Sequence, residues 1–172
     1  YKLSGEIGEA WTIGLPITLS LCVVLSCVYA YINHYNPMIY LTLLAWYFYI
    51  RGIVAATAFA GRKSKSRSVE TMLMVGVVGG GLSVYFNWVF FCYIVLADVT
   101  DTTNLLSIMF NPMLILKTAS KISEIGLYSI FDATPKGPVL WLIWLIEAGG
   151  ILFAGYWGGR KALHEQVFCE PC

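Results

Sequence analysis

Two charged residues, Arg51 and Glu147, lie inside long apolar stretches of this sequence. A charge near the centre of a bilayer costs about 2.5 kcal/mol or considerably more, so such residues commonly have a partner or a function. Two chemistries fit these residue types. One is a structural ion pair, assisted by Asn87 or a backbone carbonyl, and the other is a gate or proton-linked carboxylate in a translocation path.

The expected depths of the two charges in the membrane favour the ion pair. Both residues lie on spans expected to run from the outer to the inner side. Arg51 follows Met38 by 13 positions and Glu147 follows Pro138 by nine. At a rise of 1.5 Å per residue they lie about 20 and about 14 Å below the outer ends, a difference that an arginine side chain spans. We therefore predict that Arg51 and Glu147 pair and lock two helices together.

The C-terminal residues His164, Cys169 and Cys172 have the types and spacing of metal ligands. Cys-x2-Cys supplies two thiolates at the spacing that a tetrahedral zinc site uses, and His164 is a candidate third ligand. A structural zinc site has four ligands. Three alternatives follow: the chain continues to a fourth ligand, a neighbouring subunit contributes it, or these are free thiols.

Glycines mark the third and fourth apolar stretches. Gly76 and Gly80 are four positions apart, and so are Gly155 and Gly159. Small residues at this spacing let helix backbones approach closely in a membrane. We interpret the four as helix-packing positions, facing a helix of this chain or of another subunit.

The composition identifies lipid as the solvent of these residues. The chain is 58% hydrophobic and 12% charged, against about 25% charged in soluble domains. Its 172 residues are too few to bury that much apolar surface in one soluble core. We predict an all-α membrane protein in which four helices form a transmembrane bundle within residues 1–160. The spans are expected at about 11–32, 38–60, 71–97 and 138–159, each near the ~20 residues that cross a bilayer.

Basic residues orient the bundle. The connection at 61–70 contains Arg62, Lys63, Lys65 and Arg67, and an excess of Lys and Arg is typical of cytoplasmic loops. With that loop inside, both termini are also cytoplasmic. Residues 161–172 would then begin a cytoplasmic tail that holds the partial zinc-binding module. Aromatic residues near the span ends, Tyr29 among them, are interpreted as an interfacial belt.

Other local signals place the helix starts and the outer connection. Asn36-Pro37 and Asn111-Pro112 each have the pattern of an N-cap followed by proline at the first helical position. Between spans three and four, residues 105–127 carry polar and apolar residues on two faces at helical spacing. This pattern predicts an amphipathic helix on the outer side, with a re-entrant element as the alternative. The polar face has Lys117, Ser120, Lys121 and Glu124, and the apolar face has Ile108, Ile115, Ala119 and Ile122.

Four segments, 35–41, 61–70, 84–88 and 136–147, carry a resemblance across most of the chain. Together they resemble small uncharacterised bacterial inner-membrane proteins, in which the aromatic-rich last span likewise ends its outer half at a glutamate. The resemblance implies a four-span fold, a bacterial inner-membrane location and a longer cytoplasmic tail. It implies no activity.

The sequence favours a function without catalysis. It contains no nucleophile–base arrangement, so no catalytic residue is predicted, and an enzyme would need the tail metal site. We predict an integral membrane subunit that acts as scaffold or assembly partner in a larger complex or a homo-oligomer. The alternative is a small transporter or channel component that uses Arg51 and Glu147. The expected partners are the bilayer and other membrane subunits or copies of itself, with no nucleic acid, and zinc is the one cofactor considered.

Overall fold

The structure, a computed structural model, describes residues 5–36, 38–99, 104–126 and 134–164. The described residues form helices and short connections, with no strand among them. A π-helical turn, Ala10–Gly14, leads into the first helix. The six α-helices are α1 Leu15–Tyr35, α2 Ile39–Ser64, α3 Val69–Ala97, α4 Leu105–Met109, α5 Pro112–Ile125 and α6 Pro138–His164.

Four of these helices are long and apolar enough to cross a membrane, which confirms the predicted all-α four-span bundle. The candidate spans are Ala10–Tyr35, Tyr40–Ser64, Val69–Ala97 and Pro138–Leu163. Each helix extends beyond the predicted apolar stretch. In α2, the helix continues through Arg62 and Lys63, because cations are favourable in the last helical turn.

The four spans pack as a square. α3 lies against α1 and α6, and α2 lies against α1 and α6, so α1 and α6 occupy one diagonal. The seam between α3 and α6 is the most extensive. A residue on α6 that faces the centre of the square is therefore directed toward α1 across the bundle.

The connection between α3 and α6 contains two helices where the sequence predicted one. α4 ends at Met109 and α5 begins at Pro112. The break lies at Asn111, whose side chain accepts a hydrogen bond from the Leu114 amide as an N-cap, and proline then has no amide hydrogen to continue the preceding helix. The two faces of α5 differ in exposure: Ile115, Ala119 and Ile122 are buried, while Lys117, Ser120, Lys121 and Glu124 are exposed.

The start of α2 differs from the sequence prediction by two residues. Asn36 was predicted as the N-cap, but its Oδ1 accepts from the amide of Met38 at 3.0 Å and α2 begins at Ile39. Nearby, the His34 imidazole lies 2.8 Å from the Asp98 carboxylate and joins the C-terminal ends of α1 and α3.

Candidate intramembrane polar site

A cluster of hydroxyl groups lies in the centre of the bundle. The Ser26 hydroxyl on α1 is 2.8 Å from the Tyr49 hydroxyl on α2 and 3.1 Å from the Ser83 carbonyl on α3. Tyr49 also donates to that carbonyl, at 3.2 Å. The Ser26 oxygen is also 2.7 Å from the carbonyl oxygen of Cys22, one turn earlier on its own helix, so the Cys22 and Ser83 carbonyls share its single hydrogen. These bonds give three spans one shared polar contact in a region without water.

Tyr29 extends this cluster toward α6. Its ring stacks on Tyr49, with centroids 4.4 Å apart and an interplanar angle of 12°. Its hydroxyl hydrogen-bonds to the carboxylate of Glu147. Because α1 and α6 are diagonal in the bundle, this bond crosses the centre, and Glu147 faces inward.

Glu147 lines a cavity of about 100 Å³ between α1, α2 and α6. The lining includes Tyr29, Trp46 and the side chains of Leu43 and Ile146, which are 55% and 61% exposed. The cavity therefore opens sideways between α2 and α6. Two buried polar atoms on its lining have no hydrogen-bond partner among the described residues, the Oε1 of Glu147 and the indole Nε1 of Trp46.

The structure does not bring Arg51 to Glu147. Arg51 is exposed and makes no hydrogen bond or salt bridge to any described residue. The reason is angular. Tyr49 and Ile53 face the core of the bundle, and Arg51, two residues from each, lies on the opposite side of α2. The sequence prediction compared the depths of Arg51 and Glu147 in the membrane, but it did not consider on which side of its helix each side chain lies.

Asn87, predicted to assist the pair, is 8% exposed on α3. Its Oδ1 has no hydrogen-bond partner among the described residues. The Ser83 hydroxyl, one turn away on the same helix, is buried. The bundle core thus holds several polar atoms that have no hydrogen-bond partner among the described residues.

No protein-family model, curated protein or solved structure matches this chain. The assignment to bacterial inner-membrane proteins therefore rests on the sequence resemblance alone.

The predicted packing glycines lie where α3 meets α6. A Cβ atom added to Gly76 would fall closer to the Gly155 carbonyl oxygen than real Cβ atoms come, and one on Gly155 would meet the Gly76 carbonyl in the same way. A Cβ on Gly159 would meet the Met72 carbonyl, and one on Gly80 would lie 3.2 Å from the Ile151 carbonyl. The two backbones touch without intervening side chains.

The tail prediction falls outside the described part of the chain. Cys169 and Cys172 lie beyond residue 164, and His164 is the last residue of α6. Within the described residues, no three His, Cys, Asp or Glu side chains are grouped as metal ligands. Zinc binding by the tail stays a prediction.

A larger groove of about 480 Å³ lies between α3, α5 and α6, lined by apolar side chains that include Trp88, Trp141 and Trp144. Its lining has no charged residue, so Glu147 and its neighbours are the stronger candidate site. Sequence reasoning missed Ser26, Tyr29, Trp46 and Tyr49. Ser26 and Tyr29 are three positions apart on one helix face, and this spacing could have identified them. Tyr29 was interpreted instead as an interfacial aromatic residue, but its side chain is only 2% exposed.

Proposed function

We propose that this chain is a non-catalytic integral membrane subunit that assembles with other membrane chains or with itself. We further propose a bacterial inner-membrane location, with both termini and the basic loop in the cytoplasm. The sequence resemblance and the basic residues at 61–70 support these two points.

The exposure of Arg51 carries the assembly proposal. Arg51 is the thirteenth of 26 residues in α2, so about 18 Å of helix lies on either side of it. From that depth its side chain does not reach either head-group region. An arginine that faces lipid at mid-bilayer is costly, and the described chain offers it no anion. A carboxylate or carbonyl from a neighbouring chain would remove that cost.

Crosslinking in native membranes tests this proposal. A photoreactive amino acid is placed at Tyr47 or Ala55, which are exposed on α2 one turn before and one turn after Arg51. We expect crosslinks from both positions to membrane protein, and weaker crosslinks when Arg51 is replaced by leucine, because leucine needs no partner in lipid.

Val24 and Val28 on α1, also exposed, supply the matched control positions. If the α2 positions crosslink no more than these do, and the protein is a monomer in mild detergent, the assembly proposal is wrong.

A small transporter or channel component is the second candidate, and Glu147 is the observation that favours it. A carboxylate in a core cavity with no cation among the described residues is a group that a translocated proton or cation would use. Against it, the inner half of the bundle is filled by Met72 and Val75, both fully buried, and by the α3–α6 glycine contacts.

Proteoliposomes that contain a pH-sensitive dye separate the two candidates. A transporter predicts proton or cation flux that Glu147→Gln abolishes and Glu124→Gln, on the exposed face of α5, does not. An assembly subunit predicts no flux above that of empty vesicles in either case.

A further inference from the structure

Arg51 and Glu147 each need an opposite charge, and they lie at similar depth in one chain without reaching each other. Counted along their helices, Arg51 lies about 18 Å and Glu147 about 14 Å from the outer ends of α2 and α6. Two parallel copies of the chain in one membrane hold these residues at the same two depths. The charge that one copy lacks is therefore present, at the right height, on the other.

Arg51 and the cavity that contains Glu147 also border the same lipid-exposed face of the bundle, formed by α2 and α6. Leu43, Tyr47 and Arg51 are four positions apart along α2 and form one exposed stripe. Leu43, at the outer end of this stripe, lines the cavity that contains Glu147, and Ile146 lines it on the side of α6. A neighbour that packs on this face meets both Arg51 and the opening to Glu147.

The direction of the arginine side chain suits the difference in depth. Side chains on a helix point toward its N-terminus, and the N-terminus of α2 is at the outer end. Arg51 therefore leans from its own depth toward the shallower depth of Glu147. The cavity of about 100 Å³ far exceeds the ~15 Å³ that one water molecule requires, so it has room for a side-chain head group. Tyr29 and Trp46 on its lining add aromatic faces, which attract a guanidinium.

We propose that two copies of this chain associate through the α2–α6 face, and that Arg51 of each copy pairs with Glu147 of the other. The interface is two-fold symmetric about an axis along the membrane normal, so both pairs form at once. This inference rests on the proposed assembly function and names a second copy as the partner.

Co-expression of two differently tagged variants tests the pairing. Arg51→Glu alone places two carboxylates at each contact, and Glu147→Arg alone places two guanidinium groups there. Mixed dimers of the two variants restore one pair with reversed charges and keep one original pair. We expect each variant alone to lose self-association, and the mixed dimer to be recovered at least about tenfold more than either homodimer.

Several outcomes would overturn the pairing. Equal recovery of mixed and homodimers means that the charges do not meet in the dimer. Crosslinks from Tyr47 to other proteins, with none between copies of the chain, mean that the partner is another subunit; the assembly function then stands while this inference fails. A monomer without crosslinks would contradict both the assembly function and the dimer. Glu124→Arg, on the exposed face of α5, is the control that changes charge equally without changing association.

Discussion

At the scale of single residues, the Ser26 hydroxyl connects three of the four spans. Its oxygen lies within hydrogen-bond distance of the Tyr49 hydroxyl and of the Ser83 and Cys22 carbonyls, and the two carbonyls compete for its single hydrogen. In a bilayer no water replaces these partners, although measured interhelical hydrogen bonds average only about 0.6 kcal/mol, with a maximum near 1.7. Ser26 has partners on two other helices, so its bond to Tyr49 is expected toward the upper part of that range.

A double-mutant cycle measures this contact. We expect Ser26→Ala and Tyr49→Phe each to lower the free energy of unfolding by about 1–2 kcal/mol, with a coupling energy between them that is no larger than either single loss. Unfolding in mixed micelles provides the measurement. Ser107→Ala, at an exposed hydroxyl on α4, is the control and should change stability by less than about 0.5 kcal/mol. Additive effects of the two core substitutions would contradict the contact.

Glu147→Gln distinguishes the structure from the pairing that the sequence predicted. Within one chain, glutamine still accepts the hydrogen bond from Tyr29 and leaves no described cation unpaired, so the monomer should lose less than about 1 kcal/mol. Glu147→Ala removes the acceptor and should cost about 1–3 kcal/mol. A loss of 3–5 kcal/mol in the glutamine variant, measured on monomers in detergent, would show that a buried cation does pair with Glu147 in the same chain.

Zinc content tests the tail residues. If His164, Cys169 and Cys172 hold a metal, purified protein contains zinc that Cys169→Ser removes, since thiolates are the strongest ligands of the three. Elemental analysis gives the result directly. Cys27→Ser, within α1, is the control and should leave the zinc content unchanged. Protein without zinc after purification in chelator-free buffer would favour free thiols.

At the scale of elements, the close approach of α3 and α6 follows from glycines whose positions the sequence displayed. Spacing by four indicated a packing face, but it did not say which helix that face meets. The choice between a helix of this chain and one of another subunit depends on packing of the whole bundle. Gly76 and Gly155 each face the other's carbonyl. The spacing of glycines within one helix cannot predict this contact between two helices.

Gly155→Ala and Gly149→Ala form a matched pair on α6. Alanine normally stabilises a helix by about 0.5–1 kcal/mol relative to glycine. A Cβ on Gly149 meets nothing within 4 Å, whereas one on Gly155 meets the backbone of α3. We expect Gly149→Ala to be neutral or slightly stabilising, and Gly155→Ala to destabilise the fold by about 1–3 kcal/mol. Equal thermal stability of the two variants would mean that α3 and α6 are not in backbone contact.

At the scale of the whole molecule, composition and span length were sufficient to predict the four-span bundle, because lipid requires about 20 apolar residues per helix. The similar depths of Arg51 and Glu147 in the membrane stay a prediction. The directions of the two side chains around their helices could not be predicted, because every face of a membrane span is apolar and the hydrophobic pattern no longer marks the core. Trp46 was missed for the same reason, whereas Tyr29 was interpreted as an interfacial aromatic residue.

The proposed orientation, with the basic loop at 61–70 inside, predicts how the protein reacts with a membrane-impermeant maleimide in intact cells. In a background with Cys169 and Cys172 replaced by serine, we expect Ser120→Cys on α5 to be labelled from outside. Lys63→Cys, at the end of α2, should be labelled only after the membrane is opened. Both positions are exposed on the protein. The reverse pattern would place the basic loop outside and overturn the orientation.

The glycine contact between α3 and α6 also sets how far this sequence can drift. Where two backbones touch, no rotamer change absorbs an extra methyl group, so a mutational scan should find Gly76, Gly155 and Gly159 intolerant of every substitution. Lipid-facing neighbours such as Met74 and Tyr156, 57% and 38% exposed, should accept most apolar residues. Sequence constraint on this protein should thus be strongest at these glycines.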